Sequence, residues 1–184
     1  IGALRRLPHS GNVERGIYSW REMPHSLPGI RVFSLEGGLI MPYPEEWVSP
    51  GREELTQIGF EELRSAEDVD AVLTKDEGTV LLVVNSICGC AAGKARPGIA
   101  QALGHGSRPD RLTTVFAGQD MESTARAREY LKPFPPSSPS VAMFKDGKLV
   151  FMMERHMIEN REALEISTDL QAAFKEYCAA PQEA

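Results

Sequence analysis

The chain has 184 residues, 42% apolar and 25% charged, the proportions of one ordinary globular domain. A net charge of −6 argues against a nucleic-acid-binding surface, and the longest clean apolar run, VLLVV, falls far short of the roughly 20 residues of a membrane helix. The opening IGALRRLPHS lacks the apolar core of a secretory signal, so the expected location is cytoplasmic, where three cysteines do not form a disulfide framework.

Residues 1–40 differ in composition from the rest. They hold six glycines, three prolines, five arginines, no lysine and three acids, a balance of +2. No helical or strand period is sustained there. Two readings stand side by side. One is a flexible or partner-clasping arm. The other is a translated leader ahead of a start at Met41, where MPYPEEWVSPG begins. The domain proper is expected over 41–184.

From residue 49 the signals become regular. Ser49 followed by Pro50 reads as an N-cap with proline in the first turn, opening a helix that stops near Gly59. Ser65 and Asp68 have capping-box spacing, and Val69, Val72 and Leu73 give the following helix its apolar face. TVLLVVN, residues 79–85, is the continuous apolar run of a strand buried on both faces. AAGKARPGIAQAL, residues 91–103, is a helix with Pro97 as a kink. A strand over 112–118 and a helix over 121–131 follow. SVAMF, the turn KDGK and LVFMME make a hairpin. The closing helix, 161–178, is expected to bury Leu164, Leu170, Phe174 and Tyr177. Helices alternating with buried strands imply a three-layer α/β/α domain around a mixed sheet, with the functional crevice at the carboxyl ends of its parallel strands.

Cys88 and Cys90 stand at that place, between the 79–85 strand and the next helix. A helix N-terminus offers unpaired N–H groups and partial positive charge, both of which favour a thiolate. Lys94 and Arg96 add charge nearby, and no carboxylate lies within five residues of the pair. Cys88, which precedes the helix, is the expected attacking group, with Cys90 in the first turn. A bridge between residues two apart needs a tight turn, and Gly89 is the residue that takes unusual backbone angles cheaply. A strained small ring would be an oxidising disulfide. The pair would then pass its bridge to a substrate, or Cys88 would accept a mixed disulfide that Cys90 or an outside thiol resolves. Inert packing is one alternative. A metal or iron–sulfur site is another, in which His105, His156 or a second chain completes the ligand set. Cys178, at the end of the last helix, reads as a spectator.

NSICGCAAGKARP with VFAGQD and PSSPSVAMFKDGK closely resembles the bacilliredoxin family of thioredoxin-like proteins, and the likeness runs from Met41 to about Cys178. It implies a thioredoxin-like fold with four to five strands in the sheet, and a C-G-C redox centre with Cys88 as nucleophile and Cys90 as its partner. It also implies removal of bacillithiol, or a similar small thiol, from mixed disulfides on client proteins, with general disulfide isomerase or reductase activity as the alternative. The small thiol is a co-substrate, and no tightly bound cofactor is expected. By the same likeness Ser138–Pro139 is expected to be cis, presenting the Ser138 backbone to a substrate chain. Arg155 and His156 are expected to meet the bound thiol's carboxylates, with a bridge from Arg155 to Glu159 as the other possibility. Asn160 stands where related proteins tend to carry glycine. Gln119 and Asp120 are expected either to border the site or, for Asp120, to cap the next helix.

Overall fold

The computed structural model describes residues 42–178, together with a short antiparallel pairing of Ser34–Leu35 with Gly38–Leu39. The chain divides between Met41 and Pro42. Apart from that pairing, both readings of residues 1–40 fall outside the described residues.

Helix α1, Glu45–Thr56, starts four residues before Ser49, so Pro50 lies inside it and not at its first turn. The helix period explains why. Val48, Arg52 and Leu55 are buried on one side, and the exposed Pro50 puts its ring and missing N–H on the solvent side. Glu45 and Glu46 complement the positive end of the helix. Phe60 N–H donates to Leu55 O at 3.1 Å, and Gly59 turns the chain at φ +98°. Strand β1, Glu61–Glu62, follows. Helix α2, Ala66–Leu73, carries the expected capping box: Asp68 N–H donates to Ser65 Oγ at 3.1 Å, and Ser65 N–H to Asp68 Oδ2 at 2.9 Å.

Strand β2, Thr79–Asn85, is buried at every position. It pairs parallel with β3, Arg111–Phe116, and antiparallel with β4, Ser140–Lys145. Strand β5, Lys148–Met153, closes a hairpin on β4 through Asp146 and Gly147, both at positive φ, with an irregularity at Met143/Phe144. The sheet order is β1-β3-β2-β4-β5, and β1 also runs parallel to β3. The alternation along β2 divides the core. Leu81 and Val83 face Ile99, Ile166, Leu170 and Phe174, while Val80, Leu82 and Val84 face Val69, Val72, Leu73 and Ala127. This is the expected three-layer thioredoxin-like architecture, at the upper end of the strand count.

After Asn85 the chain enters residues 89–90 in helical conformation, then a π-helical stretch over Ala91–Ala95, then helix α3, Arg96–Leu103. Pro97 has no N–H for the Gly93 carbonyl, and its ring crowds that group. The wider turn before it, with Arg96 N–H donating to Ala91 O, relieves the conflict that was read from the sequence as a kink. Helix α4, Met121–Tyr130, packs beside α2. Helix α5, Ala163–Tyr177, packs on α3 and buries Ile166, Ser167, Leu170, Ala173 and Phe174. Leu164 is a correction: it is 70% exposed. The buried stripe is phased on Ile166, two positions along, which turns Leu164 to solvent. Tyr177 is half-buried.

A candidate thiol–disulfide site

Cys88 and Cys90 are bridged to each other, with their Cα atoms 5.4 Å apart, inside the usual span of a disulfide. The turn that brings them together is the opening turn of a helix. Ala91 and Ala92 N–H both donate to Cys88 O, at 3.0 and 3.1 Å, and Cys90 has right-handed helical angles. The role expected of Gly89 is therefore corrected. Its φ lies outside the left-handed region, and nothing stands within 4 Å of where a Cβ would be. Right-handed angles suit any residue, so the close approach needs no glycine conformation.

Both cysteines are half-buried. Cys88 Sγ accepts from Ser86 Oγ at 3.2 Å and from Ala91 N–H at 3.3 Å. Cys88 lines a cleft together with Ser86, Ile87, Gly118, Arg128, Ser138 and Arg155. Cys90 is not part of that lining.

The two cations that follow the cysteines in sequence are committed elsewhere. Lys94 Nζ meets Glu162 Oε1 at 2.5 Å. The buried Arg96 guanidinium binds Glu54 at 2.7 Å and also donates to Asn85 Oδ1 and Ser86 O, each at 3.2 Å. Asn85 Oδ1 in turn accepts Ser86 N–H at 2.9 Å, and its Nδ2 donates to Gly51 O at 2.9 Å. Arg96 thus fixes the chain just upstream of the cysteines and supplies no charge to the sulfur directly.

Ser138–Pro139 is cis, as is Lys132–Pro133, which the sequence did not single out. Ser138 lines the cleft and Pro139 is buried behind it. Arg155 lines the cleft too, donating to Ser138 O at 3.4 Å and bridging Glu159 at 2.9 Å, the second arrangement expected for it. His156 is exposed and is not part of the lining. Asn160 is exposed and needs no left-handed angle.

Gln119 and Asp120 do not border the cleft. Gln119 donates to Glu45 at 3.3 Å. Asp120 occupies the N-cap position of α4, but its carboxylate does not cap that helix. It takes Arg52 in a two-pronged pair at 2.7 and 2.8 Å and accepts Phe116 N–H at 3.2 Å. Arg52 also meets Glu62 at 2.6 Å and lies over the Phe116 ring. Burial alone would lower its pKa, but Asp120 and Glu62 outweigh it and hold the guanidinium above its ordinary value. The buried carboxylate is more useful as Arg52's partner than as a cap.

Cys178 is buried against Met143, its Sγ 4.0 Å from Sδ, and burial pushes its thiol up. Among the described residues no group of three or more His, Cys, Asp or Glu side chains stands together in a way that would hold a metal. His105 and His156, on which the metal reading leaned, are both exposed.

Ser86, Tyr43, Gly118 and Arg128 are among the cleft residues that sequence reasoning missed. Ser86 lay in the motif string and could have been singled out as a donor. Gly118, at φ +83°, leaves room for Tyr43, whose ring would stand 2.7 Å from a Cβ there. No local signal marked Arg128.

The sequence profile of the Disulphide isomerase family matches residues 43–178. A bacilliredoxin of Salinibacter ruber is 55% identical over 140 residues, which are 75% of this chain and 82% of that protein. Bacilliredoxins of Koribacter versatilis and Geobacillus kaustophilus are each 54% identical, over 75% and 74% of this chain and 95% and 94% of theirs. Among solved structures, the chain is similar to a thioredoxin of Malassezia sympodialis, at 19% identity and a TM-score of 0.45, covering 66% of this chain and 92% of that one. Mitochondrial thioredoxin 3 of Saccharomyces cerevisiae is also similar, at 18% identity and a TM-score of 0.43, covering 67% and 98%. With the profile spanning nearly the whole 42–178 domain and more than half of its residues shared with these relatives, the chain belongs to the bacilliredoxin family.

Proposed function

We propose that this thiol–disulfide oxidoreductase removes bacillithiol, or a similar small thiol, from mixed disulfides on client proteins, with Cys88 and Cys90 as its redox centre. One observation carries the reading: Cys88, bridged to Cys90, lines the cleft together with Ser138. In the dithiol form the Cys88 thiolate attacks the sulfur of the small thiol. A Cys88–small-thiol disulfide forms, and the client's sulfur leaves as a thiolate that takes up a proton. The Cys90 thiolate then attacks Cys88 Sγ, which expels the small thiol and closes the Cys88–Cys90 bridge. Two electrons pass from the dithiol to the mixed disulfide, and the bridged form is the product. A thiol reductant returns it to the dithiol.

The cytoplasm is the proposed setting, since it keeps thiols reduced. No helix among the described residues is long and apolar enough to cross a membrane. The test is mass spectrometry of the protein mixed with a bacillithiol-modified client. Cys90→Ala should trap the small thiol on Cys88, and Cys88→Ala should trap nothing. Trapping only in the second variant would reverse the roles. General disulfide isomerisation with the same cysteines is the second reading, favoured by the name of the matched family. Reactivation of a client with shuffled disulfides would report it.

A further inference from the structure

Arg128 lines the cleft with Cys88, Ser138 and Arg155. It extends from α4, and among the described residues it makes no ion pair. Its Nε is buried and has no hydrogen-bond partner. Every other buried or cleft-side guanidinium in this region has an acid: Arg52 has Asp120, Arg96 has Glu54 and Arg155 has Glu159. The cleft lining contains no Asp or Glu that would balance Arg128. Burying a cationic donor without an anion is unfavourable, and this one lines the same cleft as Cys88. Burial also pushes the Arg128 guanidinium below its ordinary pKa.

We propose that Arg128 is the anion-recognition residue of the Cys88 cleft, binding a carboxylate of the small thiol carried in the mixed disulfide. The inference rests on the mixed-disulfide reading above. The small thiol is favoured over an acidic side chain of the client because Arg128 and Cys88 line one cleft. A group a few bonds from the transferred sulfur can reach Arg128 whichever client is bound.

The test uses one client protein carrying either mercaptosuccinate, a dicarboxylate thiol, or neutral 2-mercaptoethanol in mixed disulfide. Arg128→Gln should raise KM for the mercaptosuccinate adduct about tenfold and leave the 2-mercaptoethanol adduct within about twofold. Arg128→Lys should recover part of the loss, and the melting temperature of Arg128→Gln should not fall. Equal losses on both adducts, or no loss on either, overturn the proposal; equal losses would place Arg128 with the client or the fold. Binding of S-methyl mercaptosuccinate, which cannot exchange, provides an independent reading by titration of the bridged protein. A tenfold weaker Kd in Arg128→Gln supports the assignment, and an unchanged Kd sinks it. A wild-type protein that turned over neither adduct would defeat the mixed-disulfide reading alone, since the titration would still decide the fate of Arg128.

Discussion

Replacing Ser86 with alanine should slow Cys88 without unfolding the domain. The Ser86 hydroxyl donates to Cys88 Sγ at 3.2 Å, and Ala91 N–H at 3.3 Å is the second donor. With the bridge opened, the same two groups face the sulfur anion. A hydrogen bond to a charged group contributes about 1.5–3 kcal/mol, and sulfur is a weak acceptor, so the low end applies. About 1.4 kcal/mol is a factor of ten. The assay is iodoacetamide alkylation at pH 7, followed by mass spectrometry, in a Cys90→Ala background where Cys178 is buried. Cys88 should react about tenfold more slowly in Ser86→Ala. At pH 10 the two rates should converge, because either thiol is then largely anionic. The backbone of residue 86 keeps its bonds to Asn85 and Arg96, so stability should change little. Equal rates at pH 7 would refute the reasoning and leave the Ser86 contact a passive one.

The remaining predictions concern the frame around the sulfur. Gly89→Ala should leave stability within about 0.5 kcal/mol and still form the bridge, as a free-thiol assay would show; failure to bridge would mean that the turn does need glycine. Gly98→Ala should destabilise by about 1–3 kcal/mol in urea melts, because its Cβ would stand 2.8 Å from Ile166 Cγ2 and 2.9 Å from Ala163 O; a stabilised variant would contradict the α3–α5 packing. Asp68, Asp70 and Asp110 are all held below the ordinary carboxylate range, chiefly by hydrogen bonds from Ser65, Arg126 and Thr79 in turn. A depressed folded pKa contributes stability above the unfolded value near 3.8, and that contribution is lost as pH falls through the folded values. The urea midpoint should therefore drop between about pH 5 and pH 3, and less steeply in Asp110→Asn; a flat profile would count against these contacts.

The legible parts of the fold were those with local causes. The buried run of β2, the Ser65–Asp68 box and the Asp146–Gly147 hairpin each carry their instruction within a few residues. The start of α1 was misread because Pro50 has one local meaning and the buried face led by Val48 has another, and tertiary burial prevailed. A two-residue strand such as β1 shows no period at all. In the site, the cysteines and Ser138–Pro139 were marked by the motif. Arg128 was hidden because only the fold brings a helix residue forty positions later to the same cleft. Asp120 was misplaced for the same reason, since its carboxylate is claimed by Arg52, 68 positions earlier, and His156 is exposed outside the cleft lining.

The position of the third cysteine has a practical consequence for handling the protein. While the domain is intact, Cys178, at the C-cap of α5, is buried against Met143, and only Cys88 and Cys90 are partly open to solvent. A denatured chain has no such seal, and its three thiols can couple in three ways. Material renatured under oxidising conditions should therefore contain crossed forms that cannot rebuild the core around Cys178, and renaturation in excess reductant should avoid them.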